Sequence, residues 1–115
     1  GELSELQSHP KLGASWEGFA VEQVIGLLNT RDAYFWATHG GAEIDLMVRV
    51  RGKHYGFEIK YADAPGSTRS MQIALNDLAL EHLWVVYPGQ HEYVLHDRIT
   101  ALPLQALPGL AASLK

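Results

Sequence analysis

The sequence predicts an α/β domain with an αβββαβ core, a mixed central sheet flanked by helices, and a short C-terminal β extension. Three observations predict it. Apolar residues recur at helical spacing between Leu12 and Leu28. The period changes to two between Tyr34 and Tyr61. After a second helical stripe, the nearly continuous apolar run from Leu83 to Tyr87 reads as a strand covered on both faces.

The first helix carries Leu12, Trp16, Phe19, Ala20, Val24, Leu27 and Leu28 on its apolar side, and Asn29 with Arg31 and Asp32 supplies a stop. Tyr34 to Thr38 reads as a strand, His39-Gly40-Gly41 as a turn, and Ala42 to Val50 as a second strand with Ile44, Leu46, Val48 and Val50 on one face. A turn around Arg51, Gly52 and Lys53 leads into a third strand, His54 to Tyr61, whose apolar face is Tyr55, Phe57, Ile59 and Tyr61. Ser67 or Thr68 caps the second helix, with Met71, Leu75 and Leu78 as its stripe. Beyond the central strand, Glu92 to Leu95 and Ile99 to Leu102 read as shorter strands nearer an edge. Residues 1–9 are expected to be a fragment edge, 10–104 the folded module, and 105–115 a C-terminal tail broken by Pro108 and Gly109.

Composition narrows the function classes. The chain has 115 residues, 47% hydrophobic and 19% charged, which fits one packed domain and argues against disorder. Thirteen acidic against nine basic side chains give a net charge of −4, so any nucleic-acid contact must be local. Zero cysteines exclude disulfides, thiolate metal sites and a thiol nucleophile. No apolar run approaches the ~20 residues that cross a bilayer, and a cytoplasmic location is expected. The short amphipathic piece from Glu2 to Leu6 suggests a segment of a longer chain. Phosphate-binding and dinucleotide-binding glycine motifs are absent, as are zinc-protease and serine-hydrolase motifs.

Charges in unexpected places carry the functional reading. Asp45 lies on the second strand, and Glu58 and Lys60 lie on the third. If Arg51-Gly52 is the hairpin loop, Asp45 pairs with Glu58. If Gly52-Lys53 is the loop, Asp45 pairs with Lys60 and Glu58 with Met47. Either register puts Asp45, Glu58 and Lys60 on one face. Two carboxylates so placed can share a divalent cation, with an amine beside them. With about 100° per residue, Glu17 falls between Val24 and Leu28 inside the apolar arc of the first helix, whereas Glu22 falls outside it. An ionised carboxylate on a buried arc costs several kcal/mol unless it is paired or bound to a metal, so Glu17 needs a partner.

Glu17 four residues after Gly13, then Asp45, then Glu58-Ile59-Lys60, in an αβββαβ order, resembles the PD-(D/E)xK nuclease superfamily. The longer strings from His9 to Phe19, Gly41 to Asp45 and Glu58 to Lys60, with Leu83 to Pro88, look like the C-terminal domain of predicted AAA-type ATPases, domain-of-unknown-function family 4143, over about residues 9–104. The resemblance implies a restriction-endonuclease-like fold and a metal-dependent phosphodiesterase acting on DNA. It implies that Asp45 and Glu58 coordinate Mg²⁺ or Mn²⁺, that the Ile59 carbonyl adds a ligand, and that Glu17 acts directly or through a water. Lys60 would orient or help deprotonate the attacking water, and Gln72 would support the site. An ATPase domain would precede this segment on the full-length protein.

Blander readings stand beside these. Alternating charges on a strand face are commonly a solvated cross-strand pair worth less than ~1 kcal/mol. Arg49, Arg51, Lys53 and Arg69 are expected to form a local basic rim for nucleic acid, though scattered cations also serve solubility. His39 reads as a turn residue and Glu43 as an exposed strand residue. Trp16, Trp36 and Trp84 read as core packing rather than base stacking. The alternative function is a catalytically inactive nuclease-fold module that binds nucleic acid or a protein partner, or regulates its ATPase. The sequence leaves the oligomeric state open.

Overall fold

The computed structural model describes residues 10–28, 33–34 and 44–115. The expected first strand beyond Tyr34, the turn around His39, Trp36, Glu43 and the segment 1–9 lie outside the described residues. Helix α1 (Pro10–Leu28) opens the fold and is followed by strands β1 (Ala33–Tyr34), β2 (Leu46–Val50) and β3 (Lys53–Ile59). Helix α2 (Arg69–Asp77) leads into β4 (Leu80–Tyr87), β5 (Tyr93–His96) and β6 (Ile99–Pro103), and a 3₁₀ turn (Leu104–Ala106) leads into helix α3 (Leu107–Leu114).

The described strands form one mixed sheet in the order β1-β2-β3-β4-β6-β5. β1, β2 and β3 are antiparallel neighbours, β3, β4 and β6 run parallel, and β5 returns antiparallel along the edge. The β2–β3 register pairs Leu46 with Phe57 and Val50 with Lys53, which selects Arg51-Gly52 as the hairpin loop. Both loop residues have positive φ, 52° at Arg51 and 79° at Gly52, the backbone that a two-residue hairpin turn requires.

Alternation along the strands builds two cores. One side of the sheet gives Leu46, Val48, Phe57, Ile59, Trp84, Val86 and Leu102 to a cluster with Ala20, Val24 and Leu28 of α1. The other side gives Leu80, Leu83, Val85 and Ile99 to a cluster with Met71, Ala74 and Leu75 of α2. The result is an α/β/α sandwich, with α1 and α3 on one face and α2 on the other. β4 is buried on both faces, as its apolar run predicts. Thr68 is the N-cap of α2, its hydroxyl accepting from the Met71 N–H at 3.2 Å.

Three expectations need correction. Ile44 does not share the face of Leu46 and Val48 but packs with the α2 cluster, because β2 starts only at Leu46 and the chain bends at Asp45. Leu12 and Phe19 of α1 are about half exposed, while Gly13, Ala20, Val24 and Leu28 form the buried line. β5 and β6 are shorter than β4 and lie nearer an edge, as expected, with β6 between β4 and β5 and buried along its length. The segment 105–115 is not a loose tail: α3 packs against the β-sheet side that α1 covers, burying Leu107 and Ala111. No described helix is long and apolar enough to cross a membrane.

Candidate functional site

The carboxyl end of β3 is where the singled-out charges meet. Asp45 sits one residue before β2, just past the last ladder pair, Leu46 with Phe57. Instead of extending the ladder through its backbone, Asp45 uses its side chain: Oδ2 accepts from the Ile59 N–H at 2.7 Å. Ile59 therefore meets Asp45 through its N–H. Glu58 points to the α2 face, as Gly56 does, and its side chain is 10% exposed. Lys60 follows the strand with its Nζ 3.4 Å from Glu58 Oε1. The side chains of Asp45, Glu58 and Lys60 are thus brought together, as both expected registers require.

Electrostatics ties Glu17 to the same place. Burial pushes the Glu17 carboxyl up from its ordinary value, the Asp45 charge adds to that, and Lys60 opposes it. Glu17 is half-buried rather than enclosed, and Glu22 is exposed. The same causes act more strongly on Glu58, which is pushed up to about 7: burial first, then the Asp45 charge, against the charge of Lys60 and its hydrogen bond. Glu17 and Glu58 are both disfavoured as anions by their surroundings, and one ammonium only partly compensates. Among the described residues no three His, Asp or Glu side chains stand close enough to form a ready metal cage.

A cavity of about 180 Å³ opens beside Glu58, lined by Glu58, Lys60, Thr68, Ser70 and Met71. Gln72 is exposed and does not line it. The hydroxyls of Thr68 and Ser70 are site neighbours that the sequence reading missed. The signal was topological. A helix that connects two parallel strands must start near the carboxyl end of the first, so the first turn of α2 falls beside Glu58 and Lys60.

The expected basic rim is dispersed. Arg51 and Lys53 sit at the hairpin turn; Lys53 is five residues down β3 from Glu58, about 16 Å away. There they line a different groove with Tyr55, Ser113 and Leu114, and Arg51 Nη1 donates to the Lys115 carbonyl at 2.9 Å. Arg49 lies opposite His54, also well down the strand. Arg69, in the first turn of α2, is the one of the four cations adjacent to the cavity-lining residues. Trp84 is buried in the core, stacked on Phe57 with ring centroids 5.4 Å apart. Trp16 is only half-buried and lies against Tyr61, centroids 5.7 Å apart.

Comparison with known proteins places these residues in a family. The chain is 50% identical over 98 residues to the uncharacterized protein Mb2031c of Mycobacterium bovis and, equally, to the uncharacterized protein Rv2008c of Mycobacterium tuberculosis. Each match covers 85% of this chain and 22% of the relative, so the chain spans about a fifth of the length of the curated relatives it matches. No solved structure matches. Residues 12–107, which run from the exposed start of α1 through the acids to the first residue of α3, match the domain of unknown function DUF4143, and the chain belongs to that family.

Proposed function

We propose that this chain is a PD-(D/E)xK-type phosphodiesterase domain that acts on DNA with the help of a divalent cation and works joined to an ATPase portion of a longer protein. One observation carries the reading: Glu58 is buried beside Asp45, with which it shares a side-chain hydrogen bond, and its carboxyl is pushed up to about 7 against the opposing charge of Lys60. A structural ion pair gains nothing from a second acid at its side. A site meant to receive a dication does, because the cation reverses the repulsion that disfavours the two anions.

The donor set fits Mg²⁺ or Mn²⁺, hard ions that take carboxylate and carbonyl oxygens. Asp45 and Glu58 would hold the ion, with the Ile59 carbonyl and a water-mediated Glu17 completing its ligands. A bound dication supplies polarisation of the phosphodiester and a water of lowered pKa. The chain's own groups do the rest. Lys60, half exposed at the mouth of the cavity, orients the attacking water and offsets negative charge on the phosphate. The Ile59 N–H holds the Asp45 carboxylate in one rotamer, leaving its second oxygen for a ligand. Thr68 and Ser70 offer hydroxyls to a phosphate oxygen on the opposite wall.

A second reading, a nuclease-fold module that binds nucleic acid, a protein partner or its own ATPase portion without cutting, is favoured by the lack of a three-acid cage among the described residues. Calorimetric titration with Mn²⁺ of the wild type and Asp45→Asn, paired with Mn²⁺-dependent cleavage of a DNA panel by the wild type and Lys60→Ala, separates the two. The first reading expects Mn²⁺ binding that Asp45→Asn loses and cleavage that Lys60→Ala abolishes. Indistinguishable titration curves and no cleavage support the second.

A further inference from the structure

We infer that the groove beside Trp16 is a nucleobase subsite, which receives an unpaired base of a strand that passes around the carboxyl end of the sheet, from the α1 face that carries the groove to the α2 face where a phosphate is presented to Glu58 and Lys60. This inference rests on the proposed function in one respect, that the ligand is a nucleic acid. The groove is open, about 370 Å³, and among the described residues it is lined by Trp16, Pro88, Gly89, Gln90, Leu104 and Gln105.

Its position is set by topology. Pro88 to Gln90 follow the end of β4, and Leu104 and Gln105 follow the end of β6, so the groove lies at the carboxyl ends of parallel strands, where open α/β sheets bind ligands. The acids lie at the same end, because Ile59 at the end of β3 pairs with Val86 near the end of β4. Trp16 links the two places. It precedes Glu17 on α1, and its ring rests against Tyr61, the residue after Lys60. Trp16 packs against the core cluster on one side, stays half-buried, and lines the groove on the other.

The chemistry of the walls selects a base over a phosphate. Among the described residues the lining holds no Lys or Arg to pair with a phosphate seated there. An aromatic ring, a proline and a leucine offer flat apolar surface for stacking. The two glutamine amides, both on exposed residues, each carry a donor and an acceptor that match the edge of a base. The wall is also pre-organised: the Tyr87 hydroxyl donates to the His91 carbonyl and accepts from the His91 N–H at 3.3 Å, which fixes the turn that carries Gly89 and Gln90. Gly89 packs on the Tyr87 ring, and a Cβ there would overlap it.

The test needs neither metal nor cleavage. Fluorescence anisotropy would compare binding of a labelled ten-nucleotide oligo-dA and a ten-site abasic oligomer to the 115-residue chain in chelator. The expected result is roughly 10-fold tighter binding of the base-bearing strand, a preference that Trp16→Phe largely keeps and that Trp16→Ala and Gln105→Ala each reduce severalfold. Gln105 is exposed, so its variant reports on the groove even if Trp16→Ala is unstable. Equal affinity for the two strands, no measurable binding of either, or a preference that both Trp16→Ala and Gln105→Ala leave unchanged would overturn the inference. Base preference without cleavage would leave this groove standing while the phosphodiesterase reading fails, and cleavage without base preference would do the reverse.

Discussion

The Asp45 carboxylate takes the Ile59 N–H at 2.7 Å, so a side chain closes the β2–β3 ladder at the point where Glu58 and Lys60 emerge. Asp45 is thus both a structural acceptor and a charge. Asp45→Ala leaves a part-buried N–H without that acceptor and should destabilise the fold by about 1–3 kcal/mol in chemical denaturation. Asp45→Asn keeps an acceptor oxygen and should cost much less, while removing the charge that raises Glu58 and Glu17. Equal stability of the two variants would mean that the Ile59 bond contributes nothing.

α3 gives a prediction that contradicts a tail. Leu107 is 1% exposed and sits in the cluster that α1 and the sheet build, with Ala111 one turn on. Leu107→Ala should cost about 2–5 kcal/mol, the range for a buried leucine, and truncation after residue 106 should cost more. A truncated chain with an unchanged thermal midpoint would show that α3 packs without stabilising.

Strand alternation and helical period made most of the fold legible, because each buried face is written as an apolar stripe: Met71 and Leu75 for α2, Phe57 and Ile59 for β3. Where period two and period 3.6 ended, legibility ended. Ile44 obeys the alternation of β2 but lies before its first residue, and the bend at Asp45 carries it to the other core. Pro108 and Gly109 read as breakers, yet proline fits the first turn of a helix, where its missing N–H costs nothing. At the site, Asp45, Glu58 and Lys60 were legible because a hairpin's register is a parity rule. Thr68 and Ser70 were not, since their approach depends on β3 and β4 being parallel, which no local pattern states.

The end of α2 carries an avoidable backbone cost. The Leu78 N–H donates to the Ala74 carbonyl at 2.9 Å, and Ala79 follows with φ of 50°, the left-handed position that usually belongs to glycine. Ala79 is exposed and its methyl group has no core to fill. Ala79→Gly should therefore stabilise the protein by up to about 1 kcal/mol in urea denaturation, the reverse of the usual glycine penalty inside a helix. A loss of stability would contradict the positive φ.

Glu58 should make stability depend on pH with a sign opposite to that of an ordinary paired acid. Its carboxyl is pushed from 4.5 to about 7 in the folded protein, so between those values the folded state holds a proton that the unfolded chain has released. The stabilisation is complete below pH 4.5 and is lost as pH rises through about 7, a change of about 3 kcal/mol for a group this well buried. Glu17, raised by the same causes, adds in the same direction. Glu58→Gln mimics the protonated acid at every pH. In denaturant titrations without divalent metal, the variant should match the wild type near pH 4.5 and exceed it by about 3 kcal/mol at pH 8. Under the phosphodiesterase reading, millimolar Mn²⁺ at pH 8 should raise the thermal midpoint of the wild type and leave that of Glu58→Gln unchanged. Parallel pH profiles for the two proteins would mean that Glu58 is ionised at no cost, and the strongest physical argument for a cation at this site would go with it.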